Sequence, residues 1–320
     1  MNQQTNQSAV VIAERPKQFL FITLFLASAL PFVGSATALI VGALFAMNLG
    51  NPFAAQSQKF SKWMLKLAVI GLGFAVDFNQ VIEVGRSSIV LTIVSITAII
   101  GLGEILSQLF KLNKNTGVLI SFGTAICGGS AIAAMAPVIK AKDHEVAISL
   151  AVVFLLNALG LVLFPMIGHY FGLTEQQFGV WAALAIHDTS SVVGASAAYG
   201  ASALAIATTI KLTRAMWIIP YTSIAGVFWK SDEKASIPLF IFGFLAAALI
   251  NSSFPEYQTL WHALNVGAKQ ILVMTLFLIG SGLSISVLKQ AGIKPFIMAM
   301  ILWIIVSSII LLLIVDGFIS

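Results

Sequence analysis

The sequence predicts an all-α, polytopic membrane protein, and three observations point there. Hydrophobic residues make up 59% of the 320 and charged residues only 9%, whereas a soluble chain carries about 25% charged residues. The apolar residues come in continuous runs of roughly the 17–25 that a spanning helix needs, not in the alternation of barrel strands. No stretch long enough for a soluble domain remains once those runs are removed. This excludes a soluble enzyme, a disordered chain, a coiled coil and a disulfide-rich secreted domain. The single cysteine, Cys127, has no second cysteine to pair with in the chain. The net charge of +5 is spread in small groups of Lys and Arg, which reads as membrane topology and not as a nucleic-acid patch.

Eleven spans are expected in order. Residues 1–17 are polar, with Arg15 and Lys17, and read as a cytoplasmic tail before one transmembrane domain over 18–320. The first span, 18–32, contains Phe19–Leu30. That run also fits a signal peptide cleaved near Ser35-Ala36, but Pro31 and Gly34 lead straight into another span and favour a retained helix. Spans 34–50 and 60–77 are separated by Asn48, Asn51 and Pro52, which suit a helix end. Span 87–110 follows an amphipathic link. Spans 117–139 and 178–199 have polar, glycine-rich centres and are expected to be broken, as discontinuous or re-entrant helices. Span 145–171 is apolar apart from Asn157. Span 202–229 carries Lys211, Arg214 and Pro220, and 236–252, 261–283 and 294–316 complete the set. With the N-terminus inside, ten Lys and Arg fall in cytoplasmic loops and three (Arg86, Lys140 and Lys142) outside. This follows the positive-inside rule and puts the C-terminus outside.

A repeat is visible. Gly71-Leu72-Gly73-Phe74 through Gly85 matches Gly280-Ser281-Gly282-Leu283 through Gly292: a span end, an amphipathic link, a glycine and a new span. The two copies would be inverted, a recurring device of secondary transporters. The alternative is that Gly-x-Gly is simply common in membrane helices.

Three segments could carry chemistry. In Gly123-Thr124-Ala125-Ile126-Cys127-Gly128-Gly129-Ser130, adjacent glycines invite a span to unwind, which is tolerated only against protein or a water-filled cavity. A half-helix starting there would aim N–H groups and its positive dipole end at an anion, with hydroxyls from Thr124 and Ser130. Tight packing of small residues is the competing account. In His187-Asp188-Thr189-Ser190-Ser191, ionisable residues inside a span point to function. His187 and Asp188 suit proton handling, and Thr189, Ser190 and Ser191 suit a ligand or a helix cap. An ordinary loop with Asp188 as cap is the alternative. Lys211 and Arg214 are three residues apart and share a helix face. They snorkel to an interface or face the interior as the charge for an anion, where an Arg fork suits oxyanions. The segments around Cys127 and His187 also align with each other, as two broken helices meeting at one site would.

The segments Ile126–Ile132, Pro137-Val138-Ile139-Lys140-Ala141, His187–Ala195 and Lys211–Arg214, over a match from about Pro31 to Phe318, resemble the sulfate exporter family of YeiH-type bacterial inner-membrane proteins. That resemblance implies a fold similar to bile-acid symporters and cation–proton antiporters, with inverted repeats and broken helices. It also implies export of sulfate or a related oxyanion or sulfonate. The expected partners are a small inorganic or organic anion and membrane lipid, with a homodimer open and no nucleic acid. No metal-spaced cluster, phosphate loop or dinucleotide fingerprint occurs, so no cofactor and no enzymatic activity are expected. The competing function is a cation–proton antiporter using Asp188. An intramembrane enzyme using His187 and Ser190 is a third reading.

Overall fold

The computed structural model describes residues 2–87, 89–229, 239–282 and 292–318. Its elements are α1 (Asn2–Ala27), α2 (Ser35–Leu49), α3 (Ala54–Leu72), a 3-10 turn (Gly73–Ala75), α4 (Phe78–Ser87), α5 (Ile89–Leu109), α6 (Lys114–Ala125), α7 (Gly129–Val138), α8 (Asp143–Tyr170), α9 (Glu175–Ala185), α10 (Thr189–Tyr199), α11 (Ala201–Met216), α12 (Ile218–Trp229), α13 (Phe240–Ser253), α14 (Gln258–Ser281) and α15 (Ile293–Val315). Among the described residues, Ile89–Leu109, His144–Tyr170, Ala201–Trp229, Pro255–Ser281 and Ile293–Val315 are long and apolar enough to cross a membrane. α1 already begins at Asn2, so the expected tail 1–17 is helical and continuous with the first apolar run. Glycine is absent from 1–27 and nothing before Pro16 opposes a helix. The run 202–229 is interrupted at Trp217, where Pro220 has no N–H to give the preceding turn.

Two expected spans do not run the length of the bundle. Continued as a straight helix, 114–138 would be about 36 Å long. Yet Asn115, at the start of α6, donates its side-chain amide to Glu145 at the start of α8, at 2.9 Å. The seven residues from Val138 to Glu145 reach at most about 25 Å, so α7 must run back alongside α6. Ile132 accordingly lies against Gly123. The second case is clearer still. Phe178 stacks on Tyr199 with ring centroids 3.8 Å apart, the Tyr199 hydroxyl donates to the Leu173 carbonyl at 2.6 Å, and Glu175 accepts the Ser202 N–H at 2.7 Å. α10 therefore ends where α9 began. Residues 117–139 and 178–199 are helical hairpins, each returning to the end of the bundle it started from.

The remaining elements run end to end. One end gathers the starts of α6 and α8 and the end of α12, with Lys114 over the Trp229 ring. The ends of α2 and α14 lie there too, joined where Asn51 donates to Ser281. The opposite end holds the ends of α3 and α13, where Asn251 donates to the Val76 carbonyl and Ser252 accepts the Phe78 N–H. The starts of α9 and α11 also lie at that end. Because α8 runs the full length between the two hairpins, α6–α7 comes in from the first end and α9–α10 from the second. Returning 117–139 to its own end brings Lys140 and Lys142 beside Lys111 and Lys114. Among the described residues, nine cations that flank the apolar runs (Arg15, Lys17, Lys59, Lys62, Lys111, Lys114, Lys140, Lys142 and Lys294) then share the first end, against Arg86 alone at the other.

The helices sort into two groups. α2, α3, α13 and α14 pack mainly on one another, and α5–α12 with α15 form the second group. α14 sits close to α2 because a Cβ at Gly42 would run into the Phe277 carbonyl and one at Gly280 into the Leu39 carbonyl. Small residues permit such close backbone approach in membrane helices. The repeat pair therefore faces itself, with α3 and α14 side by side. The first link is the 3-10 turn followed by the amphipathic α4. Most of the second link, Leu283–Ala291, lies outside the described residues.

Candidate functional site

The two hairpin tips meet. α6 ends at Ala125 and α7 restarts at Gly129. The turn between them closes when the Gly128 N–H donates to the Gly123 carbonyl at 2.8 Å. Gly128 has φ +64° and ψ −125°, a conformation that glycine alone adopts readily. It is also wedged, since a Cβ here would lie 3.1 Å from the Asp188 Cβ and 3.2 Å from its Cα. The paired glycines thus unwind the backbone, as expected, and also let the other hairpin approach. Asp188 is the cap of α10. Its carboxylate accepts the Ser190 N–H at 3.3 Å and the Ser190 hydroxyl, and its own N–H donates to Asn157 Oδ1 at 3.0 Å.

Two helix C-terminal ends and two N-terminal ends converge at these tips. α9 leaves four carbonyls without partners in its own helix, as every helix end does. All four are met. Lys211 Nζ donates to the carbonyls of Ala183 at 3.3 Å and Ile186 at 2.7 Å. Arg214 Nη1 donates to Leu184 at 3.2 Å, and Trp303 Nε1 donates to Ala185 at 3.0 Å. Arg214 Nη2 reaches across to the Ala125 carbonyl at the end of α6. The two cations therefore sit at the negative ends of two helix dipoles, where positive charge is favoured, and one guanidinium ties both hairpins together.

Lys211 and Arg214 face the interior, the second of the two placements expected for them, and not an interface. Both are completely buried, and the hydrogen bonds of both run to backbone carbonyls, which need partners at membrane depth. Arg214 Nε is left without a partner. Of the N-terminal ends, α10 is capped by Asp188, whereas α7 begins on Gly128, which has no side chain to cap it. Ser130, in the first turn of α7, is exposed. Gly129 faces the Phe154 ring, which a Cβ would meet at 3.2 Å. Cys127 is buried, and Thr124 is buried with an unpartnered hydroxyl.

His187 and Asp188 diverge. His187 is buried with neither ring nitrogen partnered and lies 6.2 Å from the Trp303 ring, while Asp188 turns toward Gly128. Thr189 and Ser191 are buried in the first turn of α10. As full spans separated by one span, the Cys127 and His187 segments would run the same way and could not form an inverted pair. Hairpins inserted from opposite ends remove that objection. Sequence reasoning passed over Trp303 and ranked Asn157 low. Each had a signal: a polar side chain in the middle of a 28-residue apolar helix, and a tryptophan ten residues into α15, away from either helix end.

Residues 19–299 match the family described as conserved hypothetical protein 698. A UPF0324 membrane protein of Geobacter sulfurreducens is 51% identical over 289 residues, covering 90% of this chain and 93% of that protein. UPF0324 membrane proteins of Bdellovibrio bacteriovorus and Vibrio vulnificus are 48% and 45% identical, covering 87% and 91% of this chain and 88% and 96% of their own length. No solved structure matches the chain.

Proposed function

We propose that this chain, which belongs to the conserved hypothetical protein 698 family and is a multi-pass membrane protein, is a secondary transporter. It exports a small anion, sulfate or a related oxyanion or sulfonate, across a bacterial inner membrane. The carrying observation is the meeting of two opposed hairpin tips whose C-terminal ends are already occupied by Lys211 and Arg214. The negative dipole ends are thereby neutralised, and the α7 N-terminus with Ser130 remains to receive an anion. A site at the tips lies one short hairpin away from either face, so moving one hairpin at a time exposes it alternately. Opposed repeats of this kind are how secondary transporters achieve alternating access.

In this reading the chain crosses the membrane nine times. The nine-to-one bias of cations supports an N-terminus in the cytoplasm and a C-terminus outside. Thr124, Gly129, Ser130 and Thr189 line the anion site, and Arg214 and Lys211 position the tips. Asp188 carries proton coupling, and His187, its neighbour in the chain, is the second candidate. The protein acts as a carrier and not as an enzyme, and needs no cofactor.

The test is ligand-induced stabilisation of purified protein by sulfate, sulfite, an alkyl sulfonate, a carboxylate and Na⁺, from pH 5 to 8. An anion should stabilise the wild type. Ser130→Ala should weaken that anion about tenfold, the loss of one charge-assisted hydrogen bond of ~1.5 kcal/mol. Asp188→Asn should flatten the pH dependence. Stabilisation by Na⁺ alone, abolished in Asp188→Asn, would replace this reading with a cation–proton antiporter.

A further inference from the structure

A second feature lies away from the tips, on the seam between the two helical groups. A cavity of about 290 Å³ opens between the end of α3, the first half of α11, α13 and α14. Its walls are mostly apolar, with Leu72, Leu204, Ile206 and Phe244 the bulkiest aliphatic and aromatic contributors. Four polar residues line it: Ser202 and Thr208 from α11, and Asn265 and Lys269 from α14. Thr208 is 1% exposed and its hydroxyl has no partner; Asn265 is 5% exposed and its side-chain NH₂ has no partner. Lys269 adds an exposed ammonium one helical turn from Asn265. Among the described residues, no acidic side chain lines the space.

Two buried donors from different helix groups, both unpartnered and both lining one cavity, call for an occupant. Buried polar side chains are satisfied in the large majority of cases, and each exception needs a cause. Amide NH₂ and ammonium groups only donate, and a hydroxyl does either. The occupant must therefore bring acceptors and negative charge. The apolar remainder of the wall decides its other half, since ligand sites set a few orienting polar groups in a mostly apolar lining.

We infer that this cavity binds a small organic anion, a carboxylate or sulfonate head held by Thr208, Asn265 and Lys269 with an apolar body against Leu72, Leu204 and Phe244. The inference goes beyond the hairpin-tip site and does not require it. The cavity sits beside the α3–α14 pair at the end where α9 and α11 begin. A ligand there bridges the two helical groups.

The test uses purified full-length protein in detergent, with isothermal titration of sodium benzenesulfonate and sodium sulfate at equal ionic strength. Benzenesulfonate should bind at least tenfold more tightly than sulfate at this site. Lys269→Gln and Asn265→Leu should each cut benzenesulfonate affinity tenfold or more, and Gly129→Leu at the hairpin tip should leave it unchanged. Thermal melts of each variant check folding. If Asn265→Leu raises the melting temperature while benzenesulfonate affinity stays at the wild-type value, the unpartnered amide is a packing defect and the proposal falls. It falls equally if Gly129→Leu, and not Lys269→Gln, removes benzenesulfonate binding, because the ligand then belongs to the tips. Failure of sulfate to bind anywhere bears on the tip site alone.

Discussion

Substituting Gly128 by alanine tests whether the two hairpin tips touch. Two costs add at that position. The backbone sits at φ +64°, ψ −125°, and holding a residue with a side chain in such a region costs about 1–3 kcal/mol. The new Cβ would also stand 3.1 Å from the Asp188 Cβ, 3.2 Å from its Cα and 3.3 Å from its N. These are not flexible side-chain ends. Asp188 is fixed by Asn157 through its N–H and by Ser190 through its carboxylate, so it yields little, and overpacking of this sort costs about 1–3 kcal/mol. A total near ~3 kcal/mol corresponds to roughly a hundredfold shift of the unfolding equilibrium.

Two other glycines separate the terms. Gly50 has φ +76° and open space where a Cβ would go, so Gly50→Ala carries the backbone cost alone. Gly34 has a negative φ of −83° and equally open space, so Gly34→Ala should fall within about 1 kcal/mol of wild type. Equilibrium unfolding in mixed detergent–SDS micelles would rank the three. The expected order of destabilisation is Gly128→Ala, then Gly50→Ala, then Gly34→Ala. If Gly128→Ala is no worse than Gly50→Ala, the contact between tips is absent and the site has been drawn wrongly.

Three further outcomes follow from the same geometry. In a Cys127→Ala background, Lys114→Cys and Lys140→Cys should react with an impermeant thiol reagent from the same face of the membrane, and Gly172→Cys from the other. Labelling of 114 and 140 from opposite faces would restore a crossing helix. Lys211→Met should destabilise by about 1.5–3 kcal/mol, because two helix-end carbonyls lose a charged donor; a melting temperature equal to wild type would mean those carbonyls have other partners. Tyr199→Phe keeps the ring stack on Phe178 and removes only the bond to the Leu173 carbonyl. It should therefore cost about 0.5–1.5 kcal/mol in the same micelle assay, and a loss above 3 kcal/mol would show that the hydroxyl does more than close the second hairpin.

The order of the breaks matters for how buried charge is tolerated. Lys211 and Arg214 lie in a helix with no acidic residue among their hydrogen-bond partners. Their compensation comes from four backbone carbonyls whose partial charges are concentrated by two helix ends. The counter-charge is thus supplied by secondary structure that exists only because the spans are broken. Unbroken helices over 117–139 and 178–199 would leave both cations without partners at membrane depth, so the breaks and the cations stabilise each other.

The sequence by itself determined the environment, the helical class and the position of both breaks. Hydropathy is additive along the chain, so 59% apolar residues in long runs are legible without any contact. Gly128-Gly129 and His187-Asp188 were legible for a local reason too: paired glycines and ionisable residues are costly within a span and mark where helix hydrogen bonding stops. Only the tertiary structure decided that each broken span turns back. A straight broken helix and a hairpin have the same composition. What separates them is a set of contacts between residues far apart in the chain, Asn115 with Glu145 and Phe178 with Tyr199. The role of Lys211 and Arg214 was hidden for the same reason. A cation in an apolar helix signals a buried counter-charge, but whether that charge is a ligand or a helix end depends on which carbonyls the fold brings within 3.3 Å, and no spacing along one helix records that.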